Sequence, residues 1–221
     1  MKPSRVVITG MGVLAPNGQT VEEFWQALVE GVSGIAPLTH FDTEDFPVRF
    51  GGEVTGFDPG EYLERRRERR MDRFCQLACA AASDAVADAG LGEGAYEPER
   101  VGVVYASGIG GIDTIEKQHQ RLLDRGPRRM SPFTVPKLML NAAAGQIAIL
   151  HGFEGPNFGV ASACASANHA MGMAYRMLRW GEADVMVTGG SEAAITPIGL
   201  GGFCALREAL SKQNDAPQQA S

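Results

Sequence analysis

The chain has 221 residues, with 20 Lys and Arg against 26 Asp and Glu, for a formal charge of −6. That balance excludes a non-specific nucleic-acid binder, which needs a basic surface, and a content of 44% hydrophobic and 21% charged residues excludes intrinsic disorder. The 28 glycines follow no triplet repeat, which excludes a collagen-like chain and points instead to tight turns and close backbone approaches.

In chain order, Val6–Thr9 is a buried-strand candidate bounded by Gly10 and Gly12. These glycines and Pro16 keep the first apolar run too short for a signal-peptide core. No later stretch approaches the roughly 18–20 apolar residues that span a bilayer. A soluble, cytoplasmic protein with no membrane partner is expected. Cys75, Cys79, Cys164 and Cys204 show no disulfide-scaffold spacing, which suits a reducing compartment.

Thr20-Val21-Glu22-Glu23 has capping-box spacing and opens a helix that ends at Gly31. Residues 32–60 read as loops and short strands. The basic stretch Arg65–Arg73 leads into an Ala-rich helix over 72–89, stopped by Gly90. Val101–Ala106 is a strand, and Ser107-Gly108-Ile109-Gly110-Gly111 is a turn opening a helix that runs to Arg125. Residues 135–150 read as one helix. A strand over Phe158–Ala161, a helix over 165–180 capped by Gly181, and a strand over Asp184–Thr188 with a Gly189-Gly190 turn follow. Residues 211–221 are a polar tail.

Strands alternating with helices favour an α/β fold with a largely parallel sheet. The strands are unbroken apolar runs, the mark of a sheet covered on both faces. The 165–180 helix carries Ala167, Ala170, Met171, Met173, Ala174, Tyr175, Met177 and Leu178, and is apolar nearly all round. Such a helix is expected to be buried on every side, between layers that this chain need not supply in full.

Gly10-Met11-Gly12-Val13-Leu14-Ala15 fits the dinucleotide pattern, but the next helix starts only at Thr20, so a turn is the better reading. Cys164 is the candidate nucleophile. It sits at a strand-to-helix junction among small residues, where a helix dipole and unpaired N–H groups favour thiolate over thiol. An inert, space-filling cysteine is the alternative. His169, five residues on, lies roughly 140° around the helix from the sulfur, and reads as a hydrogen-bonded core residue. His151 falls in a last helical turn, where positive charge is favourable, and His40 and His119 have no supporting context. The stretch around Arg65–Arg70 is either a solvated helix entrance or a docking patch for an acidic partner, with Arg128 and Arg129 as possible extensions. Cys75 and Cys79, one helical turn apart, read as packing residues rather than metal ligands.

Several segments together carry a resemblance. They are Val7-Ile8-Thr9-Gly10-Met11-Gly12, Arg69-Arg70-Met71-Asp72-Arg73-Phe74, Gly108-Ile109-Gly110-Gly111, Gly126–Phe133, Gly155-Pro156-Asn157, Ser162-Ala163-Cys164-Ala165-Ser166 and Gly189-Gly190-Ser191-Glu192-Ala193. The chain resembles the condensing enzymes of fatty-acid and polyketide synthesis, most of all β-ketoacyl-acyl-carrier-protein synthases of type II, along its whole length from 1 to 221. The resemblance implies a thiolase-like layered α/β/α/β/α sandwich, of which this chain carries the first repeat. It implies that Cys164 takes an acyl chain as a thioester, and that malonyl carrier protein loses CO₂ and attacks it. It implies that the Cys164 backbone N–H forms half of an oxyanion hole, and that Ile109 and Phe203 line the acyl pocket with Phe133 reaching in from a homodimer partner. Arg66, Arg69, Arg70 and Arg207 match positions that meet acyl carrier protein. No cofactor and no metal are implied. Family members are nearly twice this length and carry two catalytic histidines and a lysine in their second half, so this chain is expected to be a first half and inactive alone. A chain-length-factor-like subunit, a polyketide-type ketosynthase and a thiolase acting on CoA esters are the alternatives.

Overall fold

A computed structural model describes residues 5–92, 94–206 and 210–220. In chain order the elements are α1 (Val21–Glu30), β1 (Ala36–Pro37), β2 (Phe50–Gly51), α2 (Arg65–Glu68), α3 (Arg73–Asp88), β3 (Val101–Ala106), α4 (Ile112–Arg125), α5 (Thr134–Leu138), α6 (Ala142–His151), β4 (Asn157–Val160), α7 (Ser166–Trp180), β5 (Val185–Gly190) and α8 (Pro197–Ala205). They fall into two compact units, one made of residues 1–12 and 59–193, the other of 13–58 and 194–221.

The larger unit is built on a parallel sheet of order β4-β3-β5, with Val103 opposite Asn157 on one side and Val187 on the other. Every residue of β3 is buried. Successive strand side chains point to opposite faces, and the packing follows that alternation. Val101, Val103 and Tyr105 join Phe74, Cys75, Ala78 and Cys79 of α3 and Ala143, Ala144 and Ile147 of α6. Val104 and Ala106 join Ala170 and Met177 of α7 on the other face. The unit is therefore layered helix–sheet–helix, as expected of the α/β class.

Two polar ties fix the helices next to the sheet. Asp72, buried at the start of α3, accepts hydrogen bonds from the Thr114 backbone N–H at 2.9 Å and its Oγ1 at 2.5 Å. It thereby caps the first turn of α4 from a distant position rather than capping its own helix. The Arg100 guanidinium donates to both Asp184 oxygens, at 3.0 and 2.8 Å, and to the Gly181 and Glu182 carbonyls, joining the end of α7 to the start of β5. In the smaller unit, Thr20 caps α1 by accepting from the Glu23 N–H, as its capping-box spacing predicts, and β1 pairs antiparallel with β2.

Four sequence expectations change. Val6–Thr9 is not a strand; it pairs with no strand among the described residues, and Ile8 is 84% exposed. Gly10 and Gly12 are not turn residues either: a Cβ at Gly10 would stand 2.1 Å from the Ala85 carbonyl oxygen and one at Gly12 1.9 Å from that of Ala81, so both allow the chain to lie against α3. The helix expected over 135–150 breaks into α5 and α6, because Met139 is extended and the Leu138 carbonyl accepts from the Gly111 N–H at 3.3 Å instead of continuing the helix. The Gly189-Gly190 pair belongs to β5, not to a turn after it.

Candidate active site

Cys164 lies between the end of β4 at Val160 and the start of α7 at Ser166, so the chain reverses within five residues. Ala163 makes that bend possible. Its φ of +50° is the single left-handed backbone among the described non-glycine residues, a conformation that costs an L-residue roughly 1–2 kcal/mol. The compensation comes from Ser166. Its Oγ accepts the Ser162 backbone N–H at 2.7 Å and donates to the Ala163 carbonyl at 2.7 Å. The Ala165 and Ser166 N–H groups close the turn onto the Ser162 and Ala163 carbonyls, each at 3.1 Å. The result is a nucleophile-elbow geometry, and the Cys164 side chain is exposed.

The other cysteines differ. Cys75 and Cys79 are buried in the α3 core, and burial pushes both thiols up, Cys79 to about 12, so neither ionises near neutrality. Cys204, half-buried on α8, belongs to the smaller unit. The packing reading of the Cys75–Cys79 pair agrees with this arrangement.

No histidine among the described residues bonds the Cys164 thiol. His169 bonds the Ser162 hydroxyl through Nδ1 at 2.6 Å, but it is exposed rather than part of the core. The cause is α7 itself. Ala170, Ala174 and Met177 are buried, whereas Met173 is 37%, Met171 50% and Trp180 71% exposed, so the helix is covered along one stripe only. Within residues 1–221, then, one covering layer of the two expected is present. His151 ends α6 as read, but its surroundings disfavour a positive charge there. Burial and stacking on Phe153 place it in an apolar niche, and desolvation holds its pKa below the ordinary histidine value. The Ser83 hydroxyl donates to the Cys79 carbonyl, which leaves its oxygen to accept from the His151 Nε2–H at 3.2 Å. His40, without context in the sequence, pairs with buried Glu53 at 3.3 Å in the smaller unit.

The 107–111 turn lies beside the elbow. A Cβ at Gly108 would stand 3.8 Å from the Ala163 carbonyl oxygen, and the neighbouring Ile109 side chain is partly exposed. Arg65, Arg66, Arg69 and Arg70 line an open groove with Phe133, and the Arg70 guanidinium stands 4.7 Å from the Phe133 ring centroid, a cation–π contact. The structure thus brings Arg66, Arg69 and Arg70 together, and adds Phe133 to them within one chain. Phe203 sits on α8 in the smaller unit and is exposed. Arg207 lies outside the described residues. Sequence reasoning missed Ala163 and Ser166. The serine two residues after the cysteine was visible, but its clamp depends on a left-handed alanine that no periodicity signals.

Among the described residues no group of three His, Cys, Asp or Glu side chains could hold a metal ion, and no helix is long and apolar enough to cross a membrane. Residues 3–221 match the protein family described as beta-ketoacyl synthase, N-terminal domain. The chain is 48% identical over all 221 residues to 3-oxoacyl-(acyl-carrier-protein) synthase 2 of Vibrio cholerae, covering 53% of that protein. It is 45% identical to the synthase of the same name from Synechocystis, again over 53% of that protein. The chain therefore spans about half the length of the curated relatives it matches. Among solved structures, a beta-ketoacyl synthase from Burkholderia phymatum superposes with a TM-score of 0.87 at 28% identity, over 98% of this chain and 53% of that one. The ishigamide ketosynthase/chain length factor superposes with a TM-score of 0.86 at 31% identity, over 92% of this chain and 51% of that one.

Proposed function

The chain belongs to the beta-ketoacyl synthase family, as its N-terminal domain, and from that premise we propose that it carries the acyl-accepting nucleophile of a 3-oxoacyl-acyl-carrier-protein synthase in fatty-acid elongation. In this reading the Cys164 thiolate attacks the carbonyl carbon of a carrier-bound acyl thioester. The carrier sulfur leaves as its thiolate, which takes a proton from water, and the acyl group remains on Cys164. Malonyl carrier protein then loses CO₂, and the carbanion so formed attacks the Cys164 thioester, making the carbon–carbon bond and releasing the thiolate. The Cys164 backbone N–H supplies one donor to the tetrahedral oxyanion, where a preorganised donor matters most. Malonyl decarboxylation needs hydrogen-bond donors to the developing enolate oxygen, and we assign these to groups outside residues 1–221.

One observation carries the proposal: the exposed thiol at a bend held open by Ala163 and Ser166, while Cys75 and Cys79 are buried. The groove of Arg65, Arg66, Arg69 and Arg70 supports docking of the acidic carrier protein, with Arg207 as a further contact. Ile109 and Phe203 are proposed to line the acyl pocket, and Phe133 to serve it from a homodimer partner. Among the described residues the sheet ends in two unpaired edges, β4 and β5, and an unpaired edge is a place where a second copy can add a strand. We place the protein in the cytoplasm. The nucleophile weighs against a non-catalytic chain-length-factor role.

Incubation with an acyl thioester followed by peptide mass spectrometry tests the core of this reading. Acyl mass is expected on Cys164 alone; acyl mass on Cys204 with none on Cys164 overturns it. In the same preparation, Arg69→Glu should weaken carrier binding, and the difference should shrink as salt screens the groove.

A further inference from the structure

Glu192 has no role in the reaction as written above, yet its carboxylate collects an unusual set of donors. Oε2 accepts the Gly108 backbone N–H at 2.7 Å and the Ile109 N–H at 3.2 Å, while Oε1 accepts the Ser107 hydroxyl at 3.0 Å. The Ser107 oxygen in turn accepts the Gly110 N–H at 2.9 Å. One carboxylate, directly and through one hydroxyl, thus satisfies three successive backbone donors of the turn between β3 and α4. Charge-assisted bonds of this kind are the strong ones.

The turn is confined on its other sides as well. Asp72 fixes the first turn of α4 just beyond it. Gly111 donates to Leu138 at the end of α5. A Cβ on Gly108 would stand 2.9 Å from Glu192 Oε2 and in ordinary contact, at 3.8 Å, with the Ala163 carbonyl oxygen, so this glycine lies close against the carboxylate and beside the elbow. Glu192 follows β5 directly, as the second residue after Gly190, and β5 is hydrogen-bonded to β3 along its whole length. The Ser191 N–H, donating to the Ala106 carbonyl at 3.0 Å, carries that anchoring to the residue before it.

We infer that Glu192 is a positioning residue: it sets the height of the Gly108–Ile109 turn over the nucleophile elbow, and through Ile109 it sets which acyl chain lengths fit beside Cys164. This rests on the proposed acyl transfer to Cys164. A carboxylate is suited to the task because all of its lone pairs accept, whereas an amide at the same position turns donor hydrogens toward donors.

The test uses the intact protein with Glu192→Gln and Glu192→Ala. Amide hydrogen exchange is read at Gly108, Ile109 and Gly110, and acylation of Cys164 is timed with short, medium and long acyl thioesters. Exchange at Gly108 and Ile109 is expected to rise by about tenfold or more, the loss of a bond to a charged acceptor. The ratio of long-chain to short-chain acylation is expected to change, with the glutamine variant between the alanine variant and the unsubstituted protein. Unchanged exchange together with unchanged chain-length ratios overturns the inference. If Glu192→Ala does not fold, the isosteric glutamine variant alone decides. Absence of acyl transfer to Cys164 in the unsubstituted protein defeats the functional reading instead, and the exchange data then still report whether Glu192 fixes the turn.

Discussion

The two faces of the β4-β3-β5 sheet are covered to different depths. On one face, α3 and α6 bring Phe74, Cys75, Ala78, Cys79 and Ile147 against Val101, Val103 and Tyr105, and these form the larger cluster. On the other, α7 contributes Ala170 and Met177 to a cluster with Val104 and Ala106, while its Met171, Met173, Tyr175 and Trp180 remain exposed. The first face resembles the interior of a finished domain. The second is a single layer whose outward side is still apolar, and it is the one that carries the candidate nucleophile. An exposed apolar surface of this kind marks a place where something else packs. The larger packed cluster and the candidate nucleophile are thus divided between opposite sides of one sheet.

Substitutions on the two faces should separate them. Phe74→Ala, at 0% exposure, is expected to cost about 3–5 kcal/mol, read as a fall in the urea midpoint; a cost near zero would erase the distinction between the faces. A smaller effect should appear with pH at His151, on the α3–α6 side. Its pKa is lowered by burial, so at pH values between its folded value and the ordinary 6.5 the unfolded chain binds the extra proton. Stability tied to this group is therefore complete above pH 6.5 and falls as pH drops through the folded value. His151→Gln, which keeps a donor for Ser83, should flatten that part of the thermal-melt profile, and an unaltered profile would assign the pH dependence elsewhere. Met171→Ala, half exposed on α7, should change stability by no more than about 0.5 kcal/mol in residues 1–221. A large loss there would mean that the outer side is covered after all.

The elements closest to the sheet were legible because their signals are local. Val101–Ala106 is bounded as expected, α4 ends at Arg125, and α3 ends at Asp88, one residue short of the expected 89. What failed depended on partners distant in sequence. Val6–Thr9 has the composition of a strand but finds no strand beside it here. The 135–150 pattern is helical, yet the Leu138 carbonyl is taken by Gly111, a residue more than twenty positions away. Helix α8 was missed because Gly199, Gly201 and Gly202 disguise it, although Thr196 caps it through the Gly199 N–H. At the site, the junction placed Cys164 correctly, since a strand followed at once by a helix leaves little choice. The angular argument turned His169 away from the sulfur but could not reveal that α7 is bare on that side. The arginine groove was readable from charge alone, and its floor of Phe133 was not, because the cation–π contact joins residues over sixty positions apart.

The left-handed Ala163 has a consequence for which sequences can occupy this loop. At a left-handed φ of +50° a second heavy atom on Cβ clashes with the backbone, so valine, isoleucine and threonine are strongly disfavoured at this position whatever space surrounds it. Glycine and asparagine are the natural replacements. In a saturation library across the loop, the narrowest spectrum should therefore fall one residue before the sulfur, and it would be dictated by torsion angles rather than by any contact with substrate.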